Sequence, residues 1–173
     1  MINFFKRLLR ANFYVIDDTI IFFIIRKTSG RLFVFLSNLR ALIYGFKGRF
    51  TYENKNYFIY NEPNKKNKSI KYKFSSRRRS PYYSYGLFAR GQTLSKEYMF
   101  ANINFVNGDV VIDCGANSGD LYLYFFFNNI EIKYIGVEPS LKDFNNLIYN
   151  VKNGKNINKA LWNVSKEKIK FFI

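Results

Sequence analysis

A chain of 173 residues, 48% hydrophobic and 20% aromatic, holds enough apolar material for one cored domain and an appendage, which excludes wholesale disorder. Histidine is absent and cysteine occurs once, at Cys114, which excludes His-built zinc sites, a Ser-His-Asp triad, a histidine base and an intrachain disulfide. The net charge of +16 is lopsided: residues 1–105 carry 20 Lys and Arg against 5 Asp and Glu, and residues 106–173 carry 8 against 7. A basic surface attracts nucleic acid, acidic lipid or anionic substrates, and AT-rich coding alone also produces such an excess of Lys, Asn, Ile, Phe and Tyr.

The first periodic segment, residues 2–13, places Ile2, Phe5, Leu8, Leu9 and Phe13 near helical spacing with Lys6, Arg7 and Arg10 between them. It has neither the apolar core nor the small-residue site of a signal peptide. The longest strictly apolar run, Ile20 to Ile25, is far short of the ~20 residues of a spanning helix. A cytoplasmic location is the expectation. Residues 32–46 repeat the helical pattern with Leu32, Phe35, Leu36, Leu39, Leu42, Ile43 and Phe46. Such a stripe packs on a neighbouring element or, when flanked by basic residues, lies on a membrane surface; peripheral membrane contact stays open, with no transmembrane segment.

Residues 50–60 read as a short strand pair with Asn54 and Asn56 near its turn. Residues 61–80 are polar and charged, with Lys65, Lys66, Lys68 and Arg77–Arg79, which is loop composition. The cluster suits phosphates, with Tyr82, Tyr83 and Tyr85 following for stacking, but a solvated loop beside buried tyrosines is the simpler expectation, so a nucleic-acid partner is not expected. Ser95 to Phe100 suggests a short helix capped by Ser95. Three parts are thus expected: a basic α-rich extension over residues 1–80, a lead-in over 81–104, and a second unit over 105–173. The extension is not expected to be needed for cofactor binding.

That unit starts with Val110–Val111–Ile112–Asp113, short, β-branched and unalternating, as in a strand buried on both faces. Asp113–Cys114–Gly115–Ala116–Asn117–Ser118–Gly119–Asp120 follows, then a helical pattern from Leu121 to Phe127. A second strand, Tyr134–Val137, ends in Glu138–Pro139–Ser140; Ser140 is placed to cap a helix through Phe144, Leu147, Ile148 and Val151. A third strand is expected around Ile157–Leu161. This β-α-β-α-β order predicts a parallel sheet with covering helices, an α/β fold. Ligands in such folds bind at the carboxyl ends of the strands. Gly115 and Gly119 would let a ligand approach the backbone. Glu138, 19 residues beyond Gly119, stands where an acid accepts hydrogen bonds from ribose hydroxyls. A dinucleotide needs a glycine where Asn117 stands, and Asp120 at the helix start would repel its pyrophosphate; both point to S-adenosyl-L-methionine instead.

The run Val110–Asp120 resembles the first motif of the FkbM-type methyltransferases. Gly86, Arg90, Leu94 and Tyr98 are similar to the segment leading into it, and Tyr134–Ser140 and Asn158–Leu161 to the family's next two elements; Ser118 departs from the aliphatic residue usual there. The resemblance covers roughly residues 82–173. It implies a Rossmann-like class I methyltransferase fold and methyl transfer from S-adenosyl-L-methionine, commonly to an oxygen of a sugar or natural-product acceptor. Asp113 and Gly115 would border the methionine part, Asn117 and Gly119 complete the loop, Glu138 would hold the ribose, and Ala160 and Leu161 would lie near the adenine. No metal is implied.

Only three strands of that fold are expected within the sequence, and the acidic motif that follows in the family is not seen, so no catalytic base can be named. The chain reads as the front half of the domain, a fragment not competent in methyl transfer by itself, with Val110–Asp113 left as an open apolar edge. The rival expectation is a basic nucleic-acid- or membrane-surface-binding protein carrying a non-catalytic Rossmann-like remnant.

Overall fold

The computed structural model describes Ile25 and residues 27–46, 48–60 and 70–161. The helix expected over residues 2–13 and the lysines at 65, 66 and 68 lie outside the described residues.

Helix α1 spans Gly30–Tyr44 and ends on Gly45, whose φ of 71° supplies the left-handed closing residue. Strands β1 (Arg49–Glu53) and β2 (Asn56–Tyr60) pair antiparallel. Asn54 and Lys55 between them have φ of 49° and 62°, the paired positive values of the tight turn that matches strand twist. Strand β3 (Lys71–Phe74) then pairs with β2, giving the order β1-β2-β3. It lies in the stretch expected to be loop. The lysines concealed a two-residue alternation in Lys71–Tyr72–Lys73–Phe74, of which Tyr72 and Phe74 are buried.

The apolar stripe chosen for α1 faces the wrong way for a core. Phe33, Ser37, Ala41 and Tyr44 are buried; of the expected stripe Phe46 is buried and Leu36 half-buried, whereas Leu32, Phe35, Leu39, Leu42 and Ile43 are exposed. A smaller, partly polar face wins because the helix is held by a specific clip. The Asn38 side chain donates to the Phe50 carbonyl and accepts from the Phe50 amide, both at 2.8 Å. It thereby satisfies the outward backbone groups of edge strand β1.

A 3-10 helix, Arg77–Tyr83, leads to helix α2 (Leu87–Glu97). The expected boundary at residue 80 falls inside that 3-10 helix. Ser95 is not a cap: it lies within the last turn of α2, where its hydroxyl donates to the Gln92 carbonyl at 2.8 Å. Helix α3 (Tyr122–Asn128) packs on α2 at Gly91, where a Cβ would stand 2.8 Å from the Tyr124 nitrogen. Phe50, Ile59, Tyr72, Phe74, Tyr83, Leu87, Leu123 and Phe127 form one buried cluster, so the first sheet, α2 and α3 share a core.

The second sheet is parallel, in the order β4-β5-β6: β4 (Val110–Cys114), β5 (Lys133–Val137) and β6 (Lys155–Ile157). Helix α3 connects the first two strands, and α4 (Leu141–Asn150) the next two. Ser140 caps α4 as expected, accepting from the Asp143 amide at 3.4 Å. The protein is therefore mixed α/β. Two expectations need correction. β4 is not buried on both faces: Val111 is partly buried on the helix side, while Ile112 on the other is 61% exposed. β6 closes at Ile157, because the Asn158 side chain donates to the Glu138 carbonyl instead of extending the ladder.

Asn38→Ala should lower stability by roughly 1–3 kcal/mol, since it strands a partly buried backbone pair without adding a compensating contact. A denaturant midpoint that falls at unchanged slope is the expected reading; an unchanged midpoint would show that water replaces the clip.

Candidate functional site

Parallel pairing in register brings the carboxyl ends of β4 and β5 side by side, with Cys114 opposite Val137. The glycine loop is built on that end. The amides of Gly115 and Ala116 both donate to the Val137 carbonyl, at 2.8 and 3.0 Å. Gly115 has a φ of 83°, and a Cβ there would meet nothing within 4 Å, so its exposed face opens onto free space. Asn117 takes a φ of 51°, a conformation asparagine tolerates.

Glu138 closes the arrangement from β5. It is 6% exposed, and its two carboxylate oxygens accept from the Asn117 and Ser140 amides, both at 2.8 Å. The carboxylate is a strut between the glycine loop and the turn into α4. Its amide donates to the Ile157 carbonyl at 3.0 Å, so β6 supports the same residue. Each carboxylate oxygen retains a second lone pair for a hydroxyl donor.

Asp113 accepts a hydrogen bond from the Tyr134 hydroxyl. Burial raises its pKa above the ordinary carboxyl value; the Tyr134 hydroxyl opposes this, and the nearby charges of Asp120 and Glu138 add to the rise. Asp113 on β4 and Glu138 after β5 thus bring two carboxylates to neighbouring strand ends.

Gly119 has a packing role. A Cβ at this position would lie 2.6 Å from Val151 Cγ2 and 3.1 Å from Leu147 Cδ1, so the glycine lets the loop pack against α4. Ala160 and Leu161 lie past the end of β6, and Leu161 is exposed. Of the seven expected residues, the fold brings Asp113, Gly115, Asn117 and Glu138 to the adjoining carboxyl ends of β4 and β5 and packs Gly119 against α4.

Asp120 also departs from expectation. It is 5% exposed and points away from the opening into the core. Its Oδ1 accepts from the hydroxyls of Tyr72 at 2.5 Å and Tyr83 at 2.9 Å; its Oδ2 pairs with Arg79 at 3.0 Å and Arg90 at 2.9 Å. Burial alone would raise this carboxyl, but the two guanidiniums and two hydroxyls outweigh it and hold the pKa below the ordinary range. Asp120 therefore gives no information on which cofactor the loop accepts. The Tyr72 hydroxyl also lies 2.8 Å from the Ser118 carbonyl. The Asn150 amide reaches that carbonyl at 2.7 Å while clipping both backbone groups of Lys73 at 2.8 Å. The back of the glycine loop is thus held by β3, α4 and the 3-10 helix.

Tyr72, Tyr134 and Asn150 were missed in the sequence. Their signal was weak: a tyrosine inside a lysine-rich run, one at the start of a buried strand, and an asparagine at a helix end. A cavity of about 380 Å³ between β3, α3 and α4 is lined by Tyr122, Phe126 and Tyr149 among others, and by none of the seven expected residues. Among the described residues no cluster of three or more acidic or Cys side chains is spaced to hold a metal ion. No protein-family model, curated protein or solved structure matches the chain.

Stability should fall as acid is added. A carboxyl with a depressed folded pKa contributes fully above its unfolded value, about pH 4, and loses that contribution as pH falls through the folded value. Asp120→Asn should flatten this acid limb and cost about 3 kcal/mol at pH 7, because Arg79 and Arg90 lose their counter-charge. Asp113→Asn should do the reverse. Its raised pKa means that ionisation opposes folding, so the amide should raise the melting temperature at pH 7. Thermal melts of the parent and both variants from pH 3 to pH 7 check the two signs together.

Proposed function

We propose that the chain carries the cofactor-binding part of an S-adenosyl-L-methionine-dependent methyltransferase with a Rossmann-like class I fold, acting on an oxygen of a sugar or natural-product acceptor. One observation carries this reading: an acid at the end of β5 is fastened to the glycine loop at the end of β4, and the backbone at Gly115 faces open space. The resemblance to the FkbM-type enzymes supplies the reaction and acceptor class.

The residues suit the cofactor's charge. S-adenosyl-L-methionine has a sulfonium and an ammonium and no phosphate; Asp113 and Glu138 are both acidic. Glu138 does not tell the two cofactors apart, because a dinucleotide's ribose is held by an acid in the same position; an acidic Asp113 beside the glycine loop is what would disfavour a diphosphate. Bound there, the cofactor would supply an electrophilic methyl group. Glu138 would accept from the ribose hydroxyls with its remaining lone pairs, Gly115 would admit the ligand to backbone contact, and Asp113 would face the cationic methionine end. The enzyme's share of such a displacement is alignment, together with a base for a hydroxyl acceptor; no residue among those described is assigned as that base.

The nucleic-acid alternative loses support at its own cluster. The Arg77 side chain donates to the Thr28 carbonyl, and Arg79 is bound to Asp120. Among the described arginines of this cluster, Arg78 is the exposed one.

Calorimetry on the whole chain tests the proposal. Binding of S-adenosyl-L-methionine or its demethylated product is expected, with none for NAD. Glu138→Gln should weaken it at least tenfold, in line with charge-assisted hydrogen bonds of about 1.5–3 kcal/mol. Gly115→Val should abolish it, since a side chain would both fill the opening and strain a positive φ. Undiminished affinity in Glu138→Gln, with the fold intact by circular dichroism, would remove the ribose assignment.

A further inference from the structure

Helix α1 turns its larger apolar surface outward. Among the described residues Phe35 is 63% exposed and Leu42 65%, with Leu32, Leu39 and Ile43 also exposed. At 3.6 residues per turn these five side chains fall in one stripe along the helix. The opposite face, Phe33, Ser37, Ala41 and Tyr44, is buried, and the Asn38 clip to Phe50 fixes the rotation. The stripe therefore cannot turn inward without breaking a specific pair of hydrogen bonds. Scattered exposed apolar residues need no explanation, but a contiguous row on one helix marks a contact surface.

Charge identifies the partner. Between Asp18 and Glu53 the sequence holds six Lys and Arg and no acid. On the helix, Arg31 and Arg40 fall on opposite borders of the apolar stripe by the same spacing. Arg31 is exposed at one border, where a long cationic side chain can lay its stem along the apolar face and reach outward with its charge; at the other, the Arg40 guanidinium lies 5.4 Å from the Tyr44 ring centroid and 5.1 Å from that of Phe46. An apolar stripe with an exposed cation at its border is the arrangement of a helix lying in the plane of a bilayer whose headgroups are anionic. Among the described residues no helix is long and apolar enough to cross a membrane, so contact would be along the surface.

We propose that the outward face of α1 is a docking surface for an anionic lipid bilayer: Leu32, Phe35, Leu39, Leu42 and Ile43 enter the interface, and Arg31 meets acidic headgroups. The site at Gly115 and Glu138 lies on the other sheet and takes no part, so this proposal stands or falls independently of the methyltransferase reading.

Co-sedimentation of the whole chain with vesicles tests it. One set is pure phosphatidylcholine and the other contains roughly one third phosphatidylserine, enough for a substantial negative surface potential. Binding to the anionic set, weakened by salt and absent from the neutral set, is expected. Phe35→Glu/Leu42→Glu should reduce partitioning at least tenfold, and Arg31→Gln should reduce it severalfold; all three positions are solvent-facing, so circular dichroism should be unchanged. Equal binding by parent and double variant, or no binding by the parent, would overturn the proposal. A third readout separates other occupants. An environment-sensitive dye at Leu39→Cys, in a Cys114→Ser background, should report a wet site in lipid-free protein and a dry one on anionic vesicles. A site already dry without lipid would show that the face is covered by residues 1–24 or, if light scattering gives a dimer, by a second copy. Either result would refute membrane docking.

Discussion

Everything described here is organised around one buried carboxylate. Asp120 sits at the turn from the glycine loop into α3 and takes hydrogen bonds or ion pairs from Tyr72, Tyr83, Arg79 and Arg90. Removed from water without partners, that charge would cost several kcal/mol. Four partners on β3, the 3-10 helix and α2 stabilise it, and each then has a defined place relative to the loop. The consequence for the site is positional. The back of the loop is held by Tyr72 and Asn150 through the Ser118 carbonyl, and its front is braced by Glu138. The basic N-terminal part, with nearly all the net charge, therefore provides much of the scaffold on which the opening at Gly115 rests.

The second sheet was readable from the sequence because its signals are local. Short β-branched runs, a glycine loop and a serine ahead of an apolar helix each declare an element within a few residues, and all three strands lie in the order expected. What was not readable depends on partners distant in sequence. Tyr72 looked like loop because lysines flank it, and only its meeting with Asp120, 48 residues on, gives it a role. The facing of α1 stayed open between packing on a neighbour and a membrane surface, because hydrophobicity alone does not set burial. A single asparagine amide, bonded to Phe50, decided the rotation instead. The packing of Gly119 on α4 was hidden for the same reason: a glycine needed for ligand approach and one needed for helix packing look alike until the neighbour is placed.

The first sheet shows how such amides work in pairs. Its two edge strands each end on a helix asparagine, Asn38 at Phe50 and Asn150 at Lys73, and each amide both donates and accepts as another strand would. Free edges recruit other strands, and here two side chains occupy the positions that a neighbour would use. β4, at the border of the second sheet, has no such cover among the described residues. Its outer face also shows Val110 and Ile112 to solvent.

The long reach of the Asp120 contacts bears on the order in which the protein acquires its structure. Tyr72, Tyr83, Arg79 and Arg90 emerge during synthesis 30 to 48 residues ahead of the carboxylate that binds them. Until Asp120 arrives, the two arginines have no counter-charge to draw them inward, and until the first sheet has formed, Asp120 has no dry place to go. Contacts of such sequence separation slow folding because chain entropy is lost before they form. Assembly from the N-terminal sheet outward, with the glycine loop setting last, is the route this wiring favours, and the loop's geometry then becomes a report on whether the earlier half has folded.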